Sequence, residues 1–144
     1  TTTGRTKQQQ ALKNKRIIVT KQQEPVDLDH VDFCRPSVDQ EEDKPPVLFL
    51  HGLLGNKRNF NGVAKSLRLQ KPRRILGVDL RNHGSTSQQH RDDMRYTTQV
   101  QDVVQFLDRQ GIDRVELIGH SMGGKVAQYV NNRSLMFAPM IIYF

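Results

Sequence analysis

The chain is 144 residues long, which is enough for one domain at most. Apolar residues make up only 35% of it, and the formal net charge at pH 7 is +7. No run of apolar residues approaches the ~18 that a membrane-spanning helix needs, so the sequence predicts no membrane span. The single cysteine, Cys34, excludes a disulfide within the chain and is typical of a reducing compartment. We expect it to be a packed thiol.

Residues 1–24 form a basic tail. They carry six basic residues and one acidic residue, a net charge of +5. Because the tail has little apolar surface to bury, we expect it to be disordered on its own. Its role is open between a solvated segment, a polyanion-binding segment and what remains of a mitochondrial transit peptide. No aromatic residue lies between its charges, which argues against nucleic acid as a partner.

The predicted domain, residues 25–144, begins with one or two short strands over residues 25–33 and a charged loop over residues 35–46. Three runs rich in apolar residues then predict strands buried on both faces of a sheet. These runs are Val47–Leu50, residues 74–80 and residues 115–118.

Helix patterns alternate with those strands. Apolar residues at helical spacing predict helices over residues 59–69 and 98–110, and another helix begins across residues 124–130. The resulting β-α-β-α-β-α order predicts an α/β fold, a parallel doubly wound sheet with right-handed crossovers and helices on both faces.

Polar residues directly follow each predicted core strand. They are His51-Gly52 after the first strand, residues 79–84 after the second, and His120-Ser121 after the third. Because ligand sites in parallel sheets lie at the carboxyl ends of the strands, these three segments are expected to meet at one edge.

The last of them belongs to the pentapeptide Gly119-His120-Ser121-Met122-Gly123, a G-x-S-x-G motif. Alone this pattern is weak. Between a buried strand and a helix it predicts a nucleophile elbow, a sharp turn that presents a serine hydroxyl and needs flanking residues without a Cβ.

Three segments together carry a specific resemblance: PVLFLHGLLGNKRNF (46–60), VDLRNHGSTS (78–87) and GHSMGGKVA (119–127). In this order and spacing they resemble the α/β-hydrolase fold family. Within it they are similar to the abhydrolase-domain esterases found in mitochondria and to related small bacterial esterases. The resemblance covers about residues 25–130 and only the N-terminal half of the family's fold. It implies a mitochondrial location, the alternative being the cytoplasm.

The resemblance implies roles for individual residues. Ser121 matches the nucleophile, and the backbone N–H groups of Leu53 and Met122 match the oxyanion hole. The substrate would be a small acyl ester, with no cofactor and no metal. Seven further residues are expected to support the elbow and its loops: His51, Gly52, Asp79, His83, Gly119, His120 and Gly123. A replacement catalytic pair of His83 and Asp79 is the alternative to loop support for those two.

The sequence departs from the family after the elbow. The family places its catalytic acid and histidine on loops after later strands, yet here no histidine follows His120 and no acidic residue follows Glu116. We therefore expect a fold truncated after the elbow, a chain that is inactive alone, and an open sheet edge that a partner protein could cover. Residues 138–144 are expected to form a short strand or a divergent end.

Two functions stay open at this point. The first is a serine esterase that works through an acyl-Ser121 intermediate. The second is a non-catalytic, hydrolase-like structural module of a larger assembly.

Overall fold

The computed structural model describes residues 24–37, 44–70 and 72–133. The basic tail up to residue 23, the middle of the predicted charged loop and the predicted C-terminal strand lie outside the described residues.

Four strands and three α-helices are found in this part of the chain. The strands are β1 (His30–Cys34), β2 (Val47–Leu50), β3 (Ile75–Val78) and β4 (Glu116–Gly119). The helices are α1 (Asn61–Gln70), α2 (Tyr96–Arg109) and α3 (Met122–Arg133). Short 3₁₀ helices occupy Lys57–Phe60 and Gly84–Gln89. The predicted alternation of strand and helix is confirmed.

The sheet has the strand order β1-β3-β2-β4, with β2 parallel to both of its neighbours. Its register aligns Leu50 with Val78 on one side and with Gly119 on the other. The three parallel strands therefore end in one row, and the segments that follow them leave the sheet at the same edge.

Two details differ from the prediction. β1 pairs antiparallel with β3, so the sheet is mixed at that edge, as many α/β sheets are. β3 ends at Val78 and not at residue 80, because the N–H of Leu80 donates to the His51 side chain and not to a neighbouring strand.

The core divides between the two faces of the sheet. On one face Leu48 and Leu50 pack with buried residues of α2 and α3, among them Val103 and Val126. On the other face Val47 and Phe49 pack against Phe60 and Ala64 of the α1 region, where Cys34 is partly buried. This alternation along β2 places helices on both faces, as predicted. Across the described ranges, every helix is too short or too polar to cross a membrane.

Candidate active site

The turn between β4 and α3 presents Ser121. β4 ends at Gly119 and α3 begins at Met122, so only two residues connect them. Ser121 is exposed and has φ +50, a left-handed conformation that residues with a side chain rarely adopt. The His120 N–H donates to the Leu50 carbonyl at 3.0 Å, which fixes the turn to the end of β2.

The two glycines of the motif are required by backbone contacts. A Cβ on Gly119 would lie 2.4 Å from the Gly123 carbonyl oxygen. A Cβ on Gly123 would lie 2.1 Å from the Leu50 carbonyl oxygen. Helix α3 thus approaches the end of β2 as closely as main chain can, and this approach holds Ser121 above the sheet edge.

The loop after β2, residues 51–55, lies directly against this turn. A Cβ on Gly52 would be 3.2 Å from the Cβ of Ser121 and 2.7 Å from Nδ1 of His120. The loop turns sharply, since Gly55 N–H donates to the Gly52 carbonyl at 3.0 Å and Leu54 has φ +61. Leu53 is therefore carried close to Ser121.

Met122 occupies the first position of α3. Backbone N–H groups in the first turn of a helix have no acceptor within the helix, and the helix dipole favours negative charge there. Leu53 and Met122 both line the cavity that contains Ser121. The turn, the loop and the helix start are thus brought together as the sequence predicted.

That cavity has a volume of about 470 Å³ and is mainly apolar. Its lining residues are Leu53, Met94, Tyr96, Gln99, Ser121, Met122 and Lys125. A second cavity, of about 540 Å³, opens among Arg73, Arg74 and Ile112 and contains none of the three polar segments at the strand ends. The first cavity is the candidate active site because Ser121 lines it, although it is the smaller of the two.

A family model described as "alpha/beta hydrolase fold" matches residues 45–131, more than half of the chain. The chain belongs to the α/β-hydrolase fold family. This confirms the resemblance and the fold class predicted from the three sequence segments.

Among curated α/β-hydrolase relatives, the chain is 45% identical over 89 residues to "sn-1-specific diacylglycerol lipase ABHD11" of Danio rerio. That match covers 62% of this chain and 27% of the relative. The protein of the same name from Mus musculus is 41% identical over 105 residues, covering 73% and 34%. A "Probable alcohol acetyltransferase" of Saccharomyces cerevisiae is 32% identical over 131 residues, covering 87% and 38%. The chain thus spans about a third of the length of these relatives.

Solved structures share this fold. A "Marine microorganism esterase" superposes with a TM-score of 0.68 at 29% identity, covering 82% of this chain and 41% of the esterase. A "membrane phospholipase A" reaches the same TM-score at 24% identity, covering 84% and 38%. The second likeness shows the fold alone.

His51 is buried at the start of the loop, with both ring nitrogens bonded to backbone. Its Nδ1 donates to the Gly52 carbonyl at 2.7 Å, and its Nε2 accepts from the Leu80 N–H at 2.9 Å. Burial lowers the pKa of His51, although the bond to Gly52 acts in the opposite direction. His51 is therefore neutral near pH 7 and links the ends of β2 and β3.

His83 makes the corresponding pair of bonds. Its Nδ1 donates to the Arg81 carbonyl at 2.7 Å, and its Nε2 accepts from the Leu54 N–H at 3.2 Å. Neither nitrogen bonds to Asp79, so the hypothesis of a His83–Asp79 catalytic pair has no support in this geometry. The hydrogen bonds of His83 shape the loop instead.

Asp79 is fully buried and accepts three hydrogen bonds around its carboxylate. Its Oδ1 accepts from the Lys57 N–H at 2.7 Å, and its Oδ2 accepts from Lys57 Nζ at 2.6 Å and from the Ser85 N–H at 2.8 Å. Burial alone would raise the pKa of Asp79, but the bonds from Lys57 and Ser85 outweigh it and hold the pKa below its ordinary 3.8. Asp79 is an ionised anchor for two loops.

Acid should weaken this anchor. Because the folded-state pKa of Asp79 is depressed, its stabilisation is fully present above the unfolded pKa of 3.8 and is lost as the pH falls through the folded pKa. Urea unfolding from about pH 6 to about pH 2.5 should show a smaller loss of unfolding free energy in Asp79→Asn than in the parent chain. Asp108→Asn, at an exposed carboxylate on α2, is the matched control. Equal slopes for the two variants would contradict the assignment.

Sequence reasoning missed several residues around the site. Lys57, the partner of Asp79, lies inside segment 46–60, but nothing in the sequence pattern assigns it a role. Arg81 and Asp102 form a fully buried bidentate ion pair at 2.7 Å, and Asp102 also accepts from the Val26 N–H at 2.9 Å. An acidic residue between Val100 and Val103 on the apolar face of a helix was the signal available, because such a carboxylate needs a buried partner.

Proposed function

We propose that this chain carries the nucleophile and the oxyanion hole of a serine hydrolase that acts on carboxylic esters. Ser121 would be the nucleophile, and the backbone N–H groups of Leu53 and Met122 would stabilise the oxyanion. The observation that carries the proposal is the left-handed Ser121 between β4 and α3, exposed in an apolar cavity. A strained conformation at an exposed serine is retained where function requires it.

In this mechanism the Ser121 hydroxyl oxygen attacks the ester carbonyl carbon while its proton passes to a general base. The tetrahedral intermediate collapses, the alcohol leaves with that proton, and water then releases the carboxylic acid from acyl-Ser121. The two backbone donors would hold the negative charge that develops on the carbonyl oxygen, each contributing ~3 kcal/mol to the barrier reduction. No cofactor is needed for this chemistry.

The cavity and the relatives support a proposal for the substrate class. Leu53, Met94, Tyr96 and Met122 give the cavity an apolar wall suited to an acyl chain. Relatives at 41–45% identity are named as diacylglycerol lipases. We infer that the ester is a small acylglycerol or a comparable acyl ester. A mitochondrial location stays a prediction from the resemblance and the basic tail.

A second candidate is a hydrolase-like module without catalysis, held in a larger assembly. Its support is that, within residues 24–37, 44–70 and 72–133, no histidine or carboxylate is hydrogen-bonded to the Ser121 hydroxyl. In the same ranges β4 is an edge strand beside the elbow, which a partner protein could extend.

One experiment separates the two. The chain is treated with a fluorophosphonate probe and its turnover of a p-nitrophenyl ester is measured. We expect slow labelling that Ser121→Ala abolishes and that Ser66→Ala, at an exposed serine on α1, leaves intact. Turnover should be low, because the described residues place no general base on the Ser121 hydroxyl and removal of a triad base costs ~10⁴–10⁶ in rate. A folded sample that takes up no label would contradict the esterase and favour the module.

A further inference from the structure

We propose that His51 and His83 act together as a histidine clamp that sets the direction of the Leu53 N–H, and that protonation of His51 releases it. The catalytic consequence of the clamp rests on the proposed oxyanion hole. The clamp itself rests only on the bonds of the two rings.

The first half of the clamp acts through one peptide plane. The Gly52 carbonyl and the Leu53 N–H belong to the same peptide, which is planar and trans. His51 Nδ1 donates to that carbonyl at 2.7 Å. Because the N–H of a trans peptide points opposite to its carbonyl, holding the Gly52 oxygen also fixes where the Leu53 N–H points.

The second half holds the next peptide. The Leu54 N–H donates to His83 Nε2 at 3.2 Å, and Leu54 itself is in the left-handed region at φ +61. A leucine seldom adopts that conformation without support. Two successive peptides of the loop are thus held by two imidazoles, so Leu53 lies between two fixed points.

Both rings must be in the same neutral tautomer, with the proton on Nδ1. Each Nδ1 faces a carbonyl oxygen and must carry a proton, while each Nε2 faces a backbone N–H and must be bare. The ring centroids are 5.0 Å apart. A proton on either Nε2 would therefore set N–H against N–H and would place a positive charge beside the other ring.

Four other ionisable side chains lie near the clamp. Lys57 and Asp79 act electrostatically on His51, and Asp29 pairs with Lys57 at 2.5 Å. The pKa of Asp79 is lowered and that of Lys57 is raised, so neither changes charge between pH 5 and 8. His120 lies against Gly52 and is the remaining ionisable ring next to the loop in the described ranges.

The direction of the pH effect follows because His51 makes both of its hydrogen bonds only as a neutral ring. Burial lowers the pKa of His51 in the folded chain below the unfolded value of 6.5. Its contribution is therefore complete above pH 6.5 and declines as the pH falls below that value. The loop should loosen in acid, in the range where the unfolded chain binds the proton more readily.

Nuclear magnetic resonance of the unsubstituted chain tests the clamp. Long-range nitrogen–proton spectra near pH 7.5 should show protonated Nδ1 and bare Nε2 at both His51 and His83. Hydrogen exchange at Leu80, whose N–H donates to His51 Nε2, should accelerate about five- to tenfold between about pH 7.5 and about pH 5 after correction for the intrinsic rate, as loss of one hydrogen bond implies. A protonated Nε2 on either ring near pH 7.5, or a flat Leu80 profile, overturns the proposal.

Variants assign the pH dependence to a ring. Gln can accept from the Leu80 N–H but does not titrate, so His51→Gln should keep Leu80 protected at about pH 7.5 and remove the acid effect. His120→Gln and the exposed His90→Gln should leave the acid effect unchanged. If His120→Gln removes it instead, the clamp is wrong.

These readouts are independent of catalysis. The tautomers are measured on the parent chain, so the test survives if a variant fails to fold. If Ser121 takes up no fluorophosphonate label while both rings show the expected tautomers, the esterase proposal fails and the clamp stands. If Ser121 is labelled while the rings show the opposite tautomer, the clamp fails and the esterase proposal stands.

Discussion

The Gly123→Ala variant is expected to lose at least ~3 kcal/mol of unfolding free energy, enough to unfold much of a marginally stable chain. The added Cβ would lie 2.1 Å from the Leu50 carbonyl oxygen and 2.6 Å from that of His51. Both atoms are main chain, so no side chain can rotate away and α3 must move off the end of β2. Urea unfolding followed by circular dichroism measures the loss.

Gly62→Ala is the matched control. A Cβ on Gly62, in the first turn of α1, would meet nothing within 4 Å among the described residues. Alanine there should leave stability unchanged or raise it by up to ~1 kcal/mol, because alanine favours the helix. Equal stability of the Gly123→Ala and Gly62→Ala variants would show that the close approach of α3 to β2 is not real.

The Arg81→Met variant is expected to lose ~3–5 kcal/mol, because it would leave the Asp102 carboxylate charged and buried without its partner. Both side chains are at most 1% exposed, and two hydrogen bonds of 2.7 Å join them. Arg81 also donates to the Asp93 carbonyl at 3.2 Å. The loop after β3 and helix α2 should therefore loosen together, as chemical denaturation and tryptic cleavage near residues 90–95 would reveal.

Two comparisons make this result specific. Replacing both partners, as in Arg81→Met with Asp102→Leu, should recover part of the loss, since an apolar pair leaves no buried charge. Recovery should be incomplete because Val26 N–H loses its acceptor. Arg109→Met breaks a pair with Asp27 in which both side chains are more than half exposed, and it should change stability by less than ~1 kcal/mol. An Arg81→Met variant as stable as Arg109→Met would contradict the expectation.

Much of the fold could be predicted because its signals are local. The run Val47–Leu50 is apolar at every position since both sheet faces are covered, and the glycines around Ser121 follow from main-chain contacts that admit no side chain. These requirements act on neighbouring positions in the sequence, so a short segment displays them.

The rest depends on pairs that are distant in sequence. Lys57 meets Asp79 across 22 positions and Arg81 meets Asp102 across 21, and only the strand order β3-β2-β4 decides which loops adjoin. The direction of β1 was equally hidden, because an alternating pattern is the same for parallel and antiparallel pairing. The bonding of His83 to Leu54, and not to Asp79, needed the loop conformation as well.

The central position of β2 has a kinetic consequence. Leu50 pairs with Val78 on one side and with Gly119 on the other, partners 28 and 69 residues away in the chain. The contacts that shape the Ser121 turn are made to the Leu50 carbonyl, so they exist only after the longer of these two closures. Closing a long loop costs entropy before any contact rewards it. The Ser121 turn should therefore be among the last parts of the chain to acquire its structure during folding. It forms only after β4 has paired with β2.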